Sequence, residues 1–173
     1  PDQFWSPATN KREDGYGGSL ENRMRFSVRV LQAMRDAVGP DFIIGVRMVA
    51  DEDWDIGLTR EDGMEIARRF AAGGVVDFLN ILRGHMDTDA ALSDVIPIHG
   101  TPSAPHLDFA GEVRAATRFP VFHAARINDV ATALAAPAIM YGLHLIEANV
   151  VTPLIVGHRL TISPVLILIS ISF

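Results

Sequence analysis

A chain of 173 residues is long enough for one domain with a real core, and its 49% apolar and 21% charged composition is that of a globular protein. A net charge of −6 argues against a nucleic-acid binder, which would carry a basic patch. With no cysteine there is no disulfide framework and no Cys-ligated metal site, and the opening PDQFW reads as the interior of a longer protein rather than a signal peptide.

The polar, glycine-dotted stretch SPATNKREDGYGGSLENRMRF, residues 6–26, runs straight into a helix. It is either heavily cross-braced or lines a site. Ser19 is the N-cap, and Leu20, Met24, Ser27, Val28, Leu31, Met34 and Val38 recur at helical spacing until Gly39-Pro40 stops them. FIIGVRMV, 42–49, is almost continuously apolar, which suits a parallel strand covered on both faces. Thr59 and Asp62 resemble a capping box with Asp in place of Glu. The stripe Met64, Ala67, Phe70 follows, ended by Gly73-Gly74. VVDFLNIL, 75–82, is a second strand. After a long loop, 83–106, come a helix over 107–117, a third strand PVFHA at 120–124, and a further helix starting in RINDVATAL. The alternation predicts an α/β protein with a parallel sheet, either a (β/α)8 barrel or a doubly wound sheet. No G-x-G-x-x-G follows any strand, so the dinucleotide fingerprint of the second is missing.

Each strand ends near an arginine: Arg47 near the end of the first, Arg83 with Gly84 and His85 after the second, Arg126 after the third. In parallel α/β folds ligands bind at these ends, and arginine suits phosphate or carboxylate. Arg83 and Arg126 alone fit solvated, acid-paired loop residues equally well. Arg47 lies inside an apolar run, where its charge calls for a partner, protein or ligand. His99 and His106 read as solvated loop residues and His123 as a satisfied core residue. No two histidines have metal-site spacing on a helix, and DEDWD, 51–55, reads as a solvated loop with Trp54 available to cover a pocket.

The pattern SP..NKR.D.YGGS.ENR.RF, continued by VGPDFIIGVRM, DFLNILRG and PVFHAARINDVATA, resembles the NADH:flavin oxidoreductase (old yellow enzyme) family, in its 2,4-dienoyl-CoA reductase and trimethylamine dehydrogenase-like branch. The resemblance covers about residues 3–133. It implies a partial FMN-binding (β/α)8 TIM barrel, strands five to seven with their helices. The opening loop would then brace the chain between the fourth strand and its helix, with Arg12 and Asp14 as an ion pair and Gly17-Gly18 giving tight entry to the Ser19 cap. It implies that Arg47 faces the flavin's N1/C2=O edge, that Ala124, Ala125 and Arg126 form a phosphate-binding turn where relatives often carry glycine, and that Arg83, Gly84 and His85 line the substrate side. The substrate-anchoring residues of the family would precede Pro1, so no catalytic residue is expected in this segment. The implied activity is hydride transfer between FMN and an unsaturated carbonyl or an N-methyl amine, with NAD(P)H as reductant, in a cytoplasmic enzyme that engages no nucleic acid and no membrane. Longer relatives carry an iron–sulfur cluster and a second nucleotide domain, neither of which is represented in this segment. The alternatives are an inactive fragment and a non-flavin phosphate-binding barrel such as an isomerase.

The expected domain runs over 1–133. From Leu134 the sequence turns apolar, keeps a single acidic residue, Glu147, and no longer matches the family. The uncharged run Leu160–Phe173 is shorter than the ~20 residues of a membrane span and is interrupted by Pro164. A divergent apolar tail over 134–173, with a tendency to self-association, is the expectation.

Overall fold

The computed structural model describes residues 2–127, 129–131 and 133. The chain divides after Ile127, and the unit Pro1–Ile127 carries the sheet and its helices. The helix expected from RINDVATAL and the tail 134–173 fall largely or wholly outside the described residues.

In chain order the elements are α1 (Asp2–Trp5), α2 (Leu20–Val38), β1 (Gly45–Val49), α3 (Arg60–Gly73), β2 (Phe78–Leu82), α4 (Asp89–Val95), α5 (Leu107–Thr117) and β3 (Val121–His123). The strands form one parallel sheet in the order β1-β2-β3, with Arg47 opposite Asn80 and Asn80 opposite Phe122. Each strand follows its neighbour through a helix, the connection that parallel pairing requires.

Burial alternates along β1. Val46 and Met48 are enclosed while Gly45 and Arg47 are open. Val46, Met48, Leu79 and Ile81 join Met24 and Leu31 of α2, Ile66, Ala67 and Phe70 of α3, and Phe109, Ala110 and Val113 of α5 in one core. One sheet face is thus covered by helices and the other is open, the arrangement of three successive units of a barrel. The sequence's continuous apolar runs predicted strands covered on both faces; among the described residues only the helix side is covered.

The predicted caps form. Ser19 accepts from the Asn22 N–H and Thr59 from the Asp62 N–H at 3.2 Å. Asp62 does not complete a capping box. Its carboxylate instead takes an N–H from Arg23 at 2.7 Å. The helix over 107–117 matches α5, but the loop before it contains α4, capped by Thr88. The strands start later than predicted, because Phe42 and Ile43 are exposed and Val75 and Val76 are buried ahead of the pairing.

The opening loop is cross-braced. Asn10 Nδ2 donates to the carbonyls of Phe4 (2.6 Å) and Tyr16 (2.8 Å). Arg12 Nε donates to Asp14 at 3.0 Å, the expected pair. A Cβ on Gly17 would stand 1.9 Å from the Arg12 carbonyl oxygen, so no larger residue fits there. Ser6 Oγ and the Leu58 N–H both donate to Glu52 at 2.5 Å, tying the loop to the segment after β1. Trp5 is fully buried, donates to Ser27 at 2.8 Å and packs against Phe70. Arg35 bridges Asp77 at 2.6 Å, and that carboxylate also takes the Ile44 N–H at 2.7 Å, joining the end of α2 to the approaches of β1 and β2. These two contacts, the backbone one foremost, hold the Asp77 carboxyl below its usual pKa.

Candidate functional site

The open face of the sheet is layered. Low in the sheet, the Phe78 ring covers Gly45, where a Cβ would lie 2.0 Å from the ring. Phe78 meets Phe122 edge-on at 4.9 Å. Above Phe78 on β2, Arg47, Asn80 and Phe122 form a cross-strand row. Arg47 is exposed and bonds to no described residue. The expected burial with a partner, protein or ligand, is thus not met by a protein group among the described residues, and the open sheet face is what leaves Arg47 in solvent. Asn80, which sequence reasoning passed over, has a buried Oδ1 with no donor. Its signal was a polar residue inside VDFLNIL, one strand over from Arg47.

The strand ends behave differently from one another. Arg83 donates to Asp51 through Nε at 3.0 Å, pairs with it through a second nitrogen at 2.9 Å, and lies 5.8 Å over the Phe109 ring of α5. It is thus held toward the helix layer. The Gly84 N–H donates to the Asp51 carbonyl at 2.8 Å, so the same residue fixes both. His85 stacks on Trp54, with centroids 4.4 Å apart and planes at 13°. Its Nδ1 accepts the Asp87 N–H at 3.2 Å, which leaves the neutral ring's proton on Nε2, available as a donor.

After β3, Ala125 (φ 110°) and Arg126 (φ 47°) both lie at positive φ, where side-chain-bearing residues are strained. Alanine in place of glycine argues against glycine-like geometry at this turn; the backbone adopts positive φ regardless. The Arg126 carbonyl accepts from Ser103 Oγ (3.0 Å) and the Ala104 N–H (3.2 Å), and its guanidinium donates to the Ile98 carbonyl. Ala124 sits half-buried between β3 and this turn. The N–H groups of Ala125 and Arg126 donate to no described residue, and Arg126 Nε is buried without an acceptor.

His106, expected in solvent, is 3% exposed and its Nε2 donates to the Asp94 carbonyl at 2.9 Å. Its ring meets His123 edge-on at 6.1 Å, and both His123 nitrogens are buried without partners. Burial pushes both imidazoles below their ordinary pKa, and His106 depresses His123 further. A cleft of about 130 Å³ opens beside them, lined by Asp53, Arg83, Gly84, Asp94, Thr101, Pro105 and His106. It includes no member of the Arg47 row, so this cleft and the open face are separate features. Among the described residues no acidic or histidine cluster could hold a metal, and no helix is long and apolar enough to cross a membrane.

Residues 1–131 match the model of the NADH:flavin oxidoreductase / NADH oxidase family. The chain belongs to that family. A probable N-methylproline demethylase of Rhizobium meliloti is 59% identical over 132 residues, 76% of this chain and 20% of the relative. A multifunctional alkene reductase/demethylase of Caballeronia cordobensis is 42% identical over 132 residues, 76% of this chain and 19% of the relative. A 2-naphthoyl-CoA reductase in complex with 2-naphthoyl-CoA superposes with a TM-score of 0.69 at 30% identity, over 81% of this chain and 20% of that one. The chain therefore spans about one fifth of these relatives. The described residues leave groups of the kind that an anionic, hydrogen-bonding cofactor engages: an unpaired cation and an orphaned amide on the open face, and backbone N–H groups without acceptors beside a buried Arg126 nitrogen at the turn.

Proposed function

We propose that this chain is the strand-five-to-seven portion of an FMN-dependent barrel that oxidises an N-methyl amino acid. The observation that carries the reading is Arg47, a guanidinium on the open face of the sheet with no partner among the described residues. The demethylase relatives support this substrate class. When bound, FMN would supply the two-electron acceptor for oxidation of the N-methyl amine. Arg47 supplies a fixed positive charge where negative charge develops on reduction. The N–H groups of Ala125 and Arg126, with half-buried Ala124 allowing close approach, hold the phosphate. His85, flat on Trp54, offers its Nε2–H to the substrate carboxylate, and the stacked pair excludes water from the N-methyl group. Gly84 and Arg83, fixed by Asp51, set the position of His85.

The test is Arg47→Ala in the full-length polypeptide that contains this segment. Formaldehyde release from N-methylproline should fall on the order of 10²-fold, the scale on which a preorganised charge-stabilising group acts, and the flavin potential should drop. Unchanged rate and potential overturn the reading. Reduction of an unsaturated carbonyl by NAD(P)H with no demethylation would move the enzyme to the alkene-reducing side of the family.

A further inference from the structure

We infer that Asn80 is a positioning residue for Arg47: its side-chain oxygen takes one guanidinium N–H and aims the rest of the group at the ligand. This rests on the reading of Arg47 as the flavin's charged partner. Arg47 and Asn80 are directly paired in the parallel register of β1 and β2, so their side chains leave the same face side by side. Neighbouring strands are about 4.8 Å apart, well within the reach of an arginine. Each residue lacks what the other offers. Asn80 Oδ1 is buried and has no donor, an unfavourable condition when nothing relieves it. Arg47, a donor only, has no acceptor among the described residues. The other member of the row, Phe122, and the layer beneath, Gly45 and Phe78, bring no side-chain donor. Arg47 is thus the side-chain donor nearest in register to the orphaned oxygen.

The chemical identity of the partner matters. Arg83 is held by a carboxylate, Asp51, and Arg35 by another, Asp77. A carboxylate beside Arg47 would orient it equally well but cancel the charge that a reduced ligand needs. An amide oxygen orients without neutralising. In a filled, drier site the guanidinium loses water and needs a fixed hydrogen bond, and a neutral acceptor supplies one while leaving the net charge at +1.

The experiment is a double-mutant cycle in the FMN-loaded full-length polypeptide, combining Asn80→Leu and Asn80→Asp with Arg47→Ala. It reads the FMN dissociation constant by flavin fluorescence and the midpoint potential by spectroelectrochemical titration. Asn80→Leu should weaken FMN binding about 10-fold, as expected for one charge-assisted hydrogen bond, and lower the potential. Asn80→Asp, which keeps shape and acceptor, should lower the potential at least as far, and it carries the test if the leucine variant does not fold. In the Arg47→Ala background Asn80→Leu should lose most of its effect, and Asn80→Asp should keep only the direct lowering of the potential by its own charge. Equal effects in both backgrounds, or none in either, overturn the positioning role while leaving Arg47 in place. An Arg47→Ala variant with unaltered binding and potential would fail the function reading itself, and this inference with it.

Discussion

Arg23 and Asp62 meet at 2.7 Å and join the first turn of α2 to the first turn of α3. The Arg23 guanidinium is almost fully buried and also donates to the carbonyls of Trp5 and of Gly18 (3.1 Å). One cation therefore satisfies the opening loop, α1 and two helix starts. Arg23→Met should destabilise the chain by about 3 kcal/mol, because it strands a carboxylate and two carbonyls at once. Asp62→Asn, at a more exposed site, should cost distinctly less. Urea denaturation of the two variants ranks them, and equal losses would mean that Arg23 works through the carboxylate alone.

Ala125 is held at a φ of 110°. A side-chain-bearing residue in left-handed territory costs about 1–2 kcal/mol. Glycine removes the strain but returns part of it as unfolded-chain entropy. Ala125→Gly should therefore stabilise by about 0.5–1 kcal/mol, seen as a higher thermal midpoint. Ala124→Gly should give no gain, since Ala124 is not at positive φ. A fall in midpoint for Ala125→Gly would show that the turn is not strained.

His106 and His123 make stability depend on pH in a defined window. Both have folded pKa values below the ordinary 6.5, first through burial. The unfolded chain then binds more protons than the folded one. Stability should be fully present above pH 6.5 and lost as pH falls through the lowered folded values. The Asp77 carboxyl, also depressed, adds its loss only below its ordinary 3.8. Urea midpoints between pH 7.5 and 5 isolate the imidazoles. His123→Leu should flatten the dependence, and an unchanged slope would remove His123 from it.

The isolated 173-residue chain should not retain stoichiometric FMN. The described part provides three parallel strands, against the eight of a complete barrel, with the Arg47 row open to solvent. Visible absorbance after gel filtration checks this; a yellow 1:1 complex would show that this segment suffices.

The helices and the braced opening loop were legible because caps and apolar spacing are local signals. Ser19, Thr59 and the pairing of Arg12 with Asp14 needed no tertiary knowledge. Short α4 was not legible, as none of its residues is buried and it shows no apolar period. Strand starts shifted because apolarity at Val75 and Val76 reports burial and not pairing. The environments of His106 and Asn80 depend on contacts 12 or more residues away in sequence, to Asp94 and across strands, which spacing cannot encode. Arg47 was singled out by its apolar neighbours, yet the open face that leaves it in solvent is a property of the sheet and not of the run it sits in.

The alternation along β1 has a consequence for redesign. Val46 and Met48 answer to packing against the helices and Gly45 to the Phe78 ring over it, while Arg47, between two core residues in the chain, packs against neither layer. Arg47 is therefore the position of β1 at which a side chain can be exchanged to retune what the open face meets, and its chain neighbours, which hold the core, can stay as they are.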